Sequence, residues 1–265
     1  MDWLSKVVFT ALIFILGAGV GSFIGLIIYR IKNKKSIFDR SVCEKCGKKL
    51  SGFELIPVLG WLFLKGKCRK CHKKIDKYIP LIEMVTATFF TISFWFWPWS
   101  EQIGYLEIIK LALWLLILAG LITLLFFDLR YKKLPNKIML PTMAFTAIFY
   151  VFTSVIIEQN SYSTSIYQLA LAMLPIAGVY GLIYLISRGK LVGFGDVKLG
   201  IVIGFLLTWQ NGVIVLFSAN ILAFIIVLPL LLLGKVKTNQ QISFGQYLIL
   251  ATIVVFYLST IIGFF

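Results

Sequence analysis

Four cysteines and two aspartates are the residues of this chain best placed to do chemistry. Cys43 and Cys46 form the stretch CEKC, Cys68 and Cys71 form CRKC, and 21 residues separate the two pairs. Two C-x-x-C knuckles at that separation read as a zinc ribbon. Each knuckle holds two thiolates on a tight turn, and two knuckles complete a tetrahedral four-sulfur site. Such a site is closed and therefore structural, and in a small loop domain metal binding supplies folding energy. The neighbouring lysines favour thiolate. His72, the only histidine, follows Cys71 and is a spare ligand at most, because four sulfurs already close the site. The competing reading is a pair of disulfides.

The aspartates are the second candidate. Asp128 ends an apolar run in LLFFDLRYKKLPN, and Asp196 opens another in LVGFGDVKLG. Charge at membrane depth is costly, so each acid needs a reason to be there. Alone, Asp196 reads equally well as a helix N-cap, where its charge suits the helix dipole. Asp128 falls at a helix C-terminus, where negative charge is disfavoured, and its structural excuse is an ion pair with Arg130 or Lys132. As a pair they suggest a carboxyl dyad that shares one proton. The ionised member would take a proton from water and the protonated one would polarise a scissile carbonyl. Gly193 and Gly195 would leave the backbone open to an extended substrate strand, and Lys198 completes the motif.

The elements that must position these groups are membrane helices. The 265 residues are 60% hydrophobic, with a mean hydropathy of +0.94, whereas soluble domains are roughly 45–50% apolar. Apolar runs predict spans near 7–29, 79–99, 105–127, 138–157, 166–186, 197–209, 213–233 and 247–265. The sixth is short, only 13 residues. The first is too long for a cleaved signal segment and carries its positive flank on the wrong side. The expected architecture is an all-α polytopic membrane protein of about eight transmembrane helices with a small cytoplasmic zinc-ribbon-like insertion. Its expected parts are a first helix at 1–30, a cytoplasmic zinc-binding loop domain at 31–78, and a transmembrane core at 79–265.

Charge placement supports that topology. The net charge is +15, and 24 of the 26 Lys and Arg fall in 30–77, 128–137, 187–198 and 234–246. The loops near 100–104, 158–165 and 210–212 have no Lys or Arg. This alternation is the positive-inside rule: both termini outside, basic loops in the cytoplasm. The basic face would meet anionic lipids of the inner leaflet. No aromatic-studded basic motif appears, so nucleic acid is not an expected partner. A cytosolic loop sits in a reducing compartment, which favours zinc over disulfides.

Five stretches in order carry a resemblance. GSFIGLIIYR (21–30), the cysteine-bearing segment 40–71, DLRYKKLPN (128–136), GFGDVKLG (193–200) and SFGQYL (243–248) resemble the type IV prepilin peptidases, membrane aspartyl proteases with a G-x-G-D motif. The resemblance covers nearly the whole chain. It implies an enzyme of the bacterial cytoplasmic membrane, with its active site at the cytoplasmic face. Such an enzyme cuts the basic leader of prepilins or pseudopilins after a glycine. Many members also N-methylate the new terminal residue with S-adenosylmethionine. By position the resemblance implies Asp128 and Asp196 as the catalytic pair and Cys43, Cys46, Cys68 and Cys71 as zinc ligands. Glu83, in YIPLIEM, matches a family glutamate and marks a substrate or methyl-donor region; its plainer role is a snorkelling acid or a partner for lysines. The chain departs from the family at Gly25 (commonly Asn), Glu44 (Pro), Phe194 (Met) and Ser243-Phe244-Gly245-Gln246 (Pro-Phe-Gly-Pro).

Three other functions fit parts of the pattern. A peptidase without methyltransferase activity would keep the aspartates alone. A proton-coupled transporter would also carry intramembrane acids, though nearer the midplane and usually with internal repeats, of which none is evident. A scaffold would use the zinc ribbon as an adaptor and leave the aspartates inert.

Overall fold

A chain this apolar must satisfy its backbone hydrogen bonds within each segment, and helices do so. The computed structural model describes residues 3–36, 41–43, 45–99, 104–157, 162–234 and 243–262. Glu44, much of the Lys/Arg-free loops near 100–104 and 158–165, and residues 235–242 of the last basic loop lie outside the described residues. The fold is all-α. Among the described residues there is no strand, only two isolated antiparallel bridges, Val42 with Lys49 and Lys67 with Lys74.

The helices are α1 (Trp3–Lys32), α2 (Leu59–Phe63), α3 (Tyr78–Trp95), α4 (Tyr105–Tyr131), α5 (Asn136–Val151), α6 (Tyr162–Met173), α7 (Val179–Ser187), α8 (Phe194–Leu206), α9 (Trp209–Leu232) and α10 (Gly245–Ile262). A short π-helical segment, Phe152–Ile157, extends α5. Another, Leu174–Gly178, joins α6 to α7 and begins beside Pro175, which can donate no backbone hydrogen bond. Six helical stretches among the described residues are long and apolar enough to cross a membrane: Trp3–Lys32, Tyr78–Trp95, Tyr105–Tyr131, Asn136–Ile156, Thr164–Ser187 and Trp209–Leu232. The other two expected spans correspond to α8, of 13 residues, and to the apolar stretch Gly245–Ile261 of α10. The six therefore stand on length and hydropathy; a total of eight depends on these two shorter helices.

The chain forms two compact units, Met1–Trp95 and Phe96–Phe265. In the first, α1 packs along α3 with backbones in near contact. A Cβ on Gly17 would stand 2.7 Å from the Ala87 Cα, and one on Gly21 would stand 2.6 Å from the Glu83 Cα. Two small residues four apart lie on one helix face, and in a membrane that face is how two helices approach closely enough for dispersion to hold them. Arg30 and Lys32 lie in the last turn of α1, where cations suit the helix dipole.

The core of the second unit is α4. Trp114, Ile117, Leu118, Leu121, Ile122 and Leu124 are each fully buried. α10 lies against it, with the Trp114 and Phe256 rings stacked at a 3.6 Å centroid separation and 7° apart. α5 packs on α4 and also on α8, so α8 is held between α5 and the Leu174–Gly178 segment. Gly200 allows that second contact, since a Cβ there would lie 2.6 Å from the Ala177 nitrogen.

Replacing Gly17 by Leu should force α1 off α3 and cost about 1–3 kcal/mol, the usual penalty of overpacking. The check is a lower thermal midpoint of the purified protein in detergent; an unchanged midpoint would show that the close approach is dispensable.

Candidate active site and metal centre

Asp128 lies in the last turn of α4 and is 1% exposed. Its expected excuse, a neighbouring cation, is not what covers its oxygens. The Ser243 hydroxyl donates to Oδ1, and the Gln246 backbone N–H donates to Oδ2 at 3.0 Å. Both donors sit at the start of α10, which begins at Gly245. The unsatisfied N–H groups of one helix start thus meet the carboxylate that the end of another disfavours.

Asp196 lies in the first turn of α8 but does not cap it. The N-cap is Gly193, whose carbonyl accepts the Asp196 N–H at 3.0 Å. Its carboxylate accepts the Gly193 backbone N–H and also faces Asp128. A Cβ built on Gly245 would stand 3.0 Å from Asp128 Oδ2 and 3.4 Å from Asp196 Oδ1. The two carboxylates therefore face one small volume floored by the Gly245 backbone, where glycine alone leaves room for a third group.

Leu134 fills the space between the glycine-bearing helix starts. A Cβ on Gly195 would lie 3.2 Å from the Leu134 Cβ, and one on Gly245 would lie 3.1 Å from its Cδ1. The Cβ side of Gly195 thus faces the protein's own side chain, while Gly193 is exposed and its carbonyl and N–H both engage Asp196. Lys198 Nζ donates to Asn136 Oδ1 at 2.8 Å and lies 4.9 Å from the Phe194 ring centroid. It ties α8 to the start of α5, two residues from Asp196.

The cysteines converge as their spacing predicts. Their four Sγ atoms lie within 4.8 Å of one another, with Cys43–Cys71 at 3.9 Å and Cys46–Cys68 at 4.0 Å. None is in a disulfide. Four sulfurs at tetrahedral Zn–S bond lengths stand about 3.8 Å apart, so this donor set fits a zinc ion. Each knuckle repeats one pattern. Cys43 N–H donates to Lys48 O and Gly47 N–H to Cys43 O; Cys68 N–H donates to Lys73 O and His72 N–H to Cys68 O. The Cys71 and Lys70 backbone N–H groups bring the Cys68 thiol down to about 6. The Lys48 N–H pulls Cys46 the same way, but desolvation and the other three sulfurs outweigh it and push Cys46 up to about 11. Unequal thiols of this kind are what a cation would level by deprotonating all four.

His72 is exposed with φ +53°, the position that Gly47 (φ +69°) fills in the other knuckle. It is a turn residue, outside the donor set. The Lys48–Glu54 ion pair (2.9 Å) and the Ser51 N–H bond to Glu54 (2.8 Å) fasten the first knuckle to the following turn. The Ser51 backbone and the Lys48 ammonium hold the Glu54 carboxyl below its usual range.

Glu83 belongs to the first unit, in α3, and is 4% exposed. It accepts the Val58 N–H at 2.6 Å. Val58 has φ +60°, a strained value for a β-branched residue. The carboxylate thus clamps the unusual turn that starts α2. Reading for residue types alone missed Ser243, Gly245 and Gln246 as neighbours of the dyad. Their visible signal was a polar-glycine-polar stretch just before an apolar run.

Replacing Cys71 with Ser, or chelating with a strong zinc ligand, should remove about one equivalent of zinc per chain and lower the thermal midpoint. His72→Gly should keep the metal and the midpoint, because the turn is left-handed there. Zinc analysis and melting of the two variants check this; metal loss in His72→Gly would make the histidine a ligand.

Residues 15–97 match the bacterial peptidase A24 N-terminal domain, and residues 115–228 match the type IV leader peptidase family. The chain is similar to a protein of Dichelobacter nodosus named prepilin leader peptidase/N-methyltransferase, 31% identical over 80% of this chain and 68% of that protein. It is similar to proteins of the same name from Aeromonas salmonicida (26%, over 99% of this chain and 97% of that protein) and Pseudomonas aeruginosa (25%, 95% and 91%). No solved structure matches. With a dyad between two helix starts, a four-cysteine cluster and relatives matched along most of their length, the chain belongs to the type IV leader peptidase family.

Proposed function

We propose that this protein is an aspartyl endopeptidase of the bacterial inner membrane, acting at the cytoplasmic edge. Its substrates are prepilins or pseudopilins, from which it removes the basic leader after glycine. It then N-methylates the new terminal residue with S-adenosylmethionine. The observation that carries the reading is the convergence of Asp128 and Asp196 on the volume above Gly245. The basic loops favour the cytoplasmic side through the positive-inside rule, and the same loops suit anionic headgroups of that leaflet. The metal of the four-cysteine cluster is zinc in this reading, with a structural role.

Asp128, held by two donors, acts as the base in this reading, and Asp196 as the acid. Asp128 takes a proton from a water as its oxygen attacks the scissile carbonyl carbon, and Asp196 delivers its proton to the carbonyl oxygen. When the C–N bond breaks, Asp128 returns its proton to the leaving nitrogen and Asp196 recovers one from the collapsing diol. Gly193, exposed and without a side chain, leaves space beside the pair for an extended strand. S-adenosylmethionine would supply an electrophilic methyl group to the freed amine.

Purified enzyme should cut a prepilin bearing a Gly-Phe junction, read as leader loss by mass spectrometry. Asp128→Asn and Asp196→Asn should each slow cleavage by about 10²–10⁴-fold or more. Equal cleavage by both variants would end the aspartyl mechanism. Ser243→Ala removes one charge-assisted hydrogen bond and should lower kcat about tenfold with KM nearly unchanged. A change confined to KM would place Ser243 on the substrate instead.

A further inference from the structure

The stretch 53–64, FELIPVLGWLFL, runs through the middle of the cysteine loop and carries a single charge, Glu54, which Lys48 pairs at 2.9 Å. Such a length is too short to cross a membrane and suits a segment that lies in its interface. Within it, α2 is apolar on both sides. Gly60 and Trp61 turn inward: a Cβ on Gly60 would stand 2.8 Å from the Glu54 carbonyl oxygen, and the Trp61 ring covers Gly66. Leu59, Leu62 and Phe63 share one helix face by their spacing and are all exposed, Phe63 at 78%. Phe53, just before α2, is 83% exposed. A helix that is hydrophobic all round belongs in apolar surroundings on every side.

The depth of α2 says what covers its outer face. α3 has 18 residues, about 27 Å of helix, against a hydrocarbon layer of about 30 Å, so nearly all of it is needed to cross. Glu83 lies in the second turn of α3 and packs against Gly21 of α1, with about 16 Å of α1 still to run before Lys32. The Val58 N–H donates to the Glu83 carboxylate at 2.6 Å. The loop therefore folds back along its own two helices, and α2 begins beside the second turn of α3, not beyond its end. The Glu83 side chain leans toward the start of α3, so α2 starts at the boundary between headgroups and acyl chains. Exposed Phe23 on α1 and exposed Leu81 and Met84 on α3 belong to the same turns and are equally apolar. Lys65 and Lys67, both exposed, follow α2 at once.

We propose that the cysteine loop is seated on the bilayer, with α2 and Phe53 inserted in its interface. The occupant of the outward face is anionic phospholipid: acyl chains against Phe53, Leu59, Leu62 and Phe63, headgroups against Lys65 and Lys67. Interfacial helices in general sink an apolar face about 5–10 Å and keep cations at the edge. Backbone at that depth needs partners within the protein. Val58 N–H has Glu83, Gly60 N–H donates to Ile56 O at 2.8 Å, Leu62 N–H to Val58 O at 3.0 Å and Gly66 N–H to Trp61 O at 2.9 Å. This seating needs only that α1 and α3 cross a bilayer, as their length and hydropathy allow, and is independent of the peptidase reaction.

Photo-crosslinking of the full-length chain tests it. p-Benzoylphenylalanine would replace Phe63, and in a second variant Phe53, in nanodiscs of phosphatidylethanolamine and phosphatidylglycerol. The same probe in place of Ile15, exposed near the middle of α1, is the lipid-facing reference. Thermal midpoints equal to that of the native protein show that the probes leave the fold intact. After irradiation, mass spectrometry of the chain and its peptides should show a shift of one phospholipid at positions 63 and 53, in a yield comparable with position 15. A crosslink from these positions to a second copy, or to another segment of the same chain, would overturn the proposal and make the face a protein interface. Unmodified chain at 63 and 53, with position 15 reacting, would place the face in water and overturn it as well.

Discussion

A carboxylate buried at the C-terminal end of a helix is the demand around which the second unit is built. Asp128 sits where the backbone of α4 presents unpaired carbonyls, so its own helix repels it. The remedy comes from 115 residues further along the chain, where Ser243 and the first amides of α10 face it. α10 must therefore begin where α4 ends, and the antiparallel stacking of Trp114 on Phe256 keeps the two in register. α8 is bound by the same requirement, because Asp196 reaches the shared volume only when the first turn of α8 abuts Leu134. Three helix ends and one leucine converge because one acid has to be kept in place.

The first unit answers a different demand. It has little apolar core around its loop, and it compensates with sulfur, ion pairs and one strained turn. The closely packed α1–α3 pair forms the rigid base. Glu83 rises from that base to hold Val58, and the knuckles fold back over it. Buried Glu83 holds Val58 at positive φ, and the unsatisfied Trp61 indole follows three residues later, a concentration of cost that ordinary loops avoid.

Much of this was legible in the residues alone. Cysteine spacing encodes its own geometry, since a C-x-x-C knuckle is a local structure, and the cluster formed as expected. Hydropathy announced the helices because the membrane allows few alternatives. The pairing of Asp128 with Asp196 was readable because two acids at one membrane edge are rare. The partners of Asp128 were not, since a contact across 115 residues leaves no periodicity to read. Gly195 was misjudged for a related reason: a glycine looks the same whether it makes room for substrate or for Leu134. His72 was set aside as a ligand because four sulfurs close the site, but only its positive φ identifies it as the counterpart of Gly47. The start of α8 came three residues before the apolar run did, which moved Asp196 from the cap into the first turn.

The twin knuckles have a consequence for how the loop can change. The backbone hydrogen bonds that shape each knuckle, out to Leu50 N–H on Ser41 O and Ile75 N–H on Gly66 O, stay within one short hairpin, so each half is local. A metal ion there would join two local hairpins, and the chain between them is itself held at Glu54 and Val58. The entropy of closing a tether grows with the logarithm of its length, about 0.6 kcal/mol for each doubling. The exposed positions between those holds can therefore be rewritten at small cost. Val58 and Trp61 are not among them, because Glu83 fixes the first and Gly66 packs against the second.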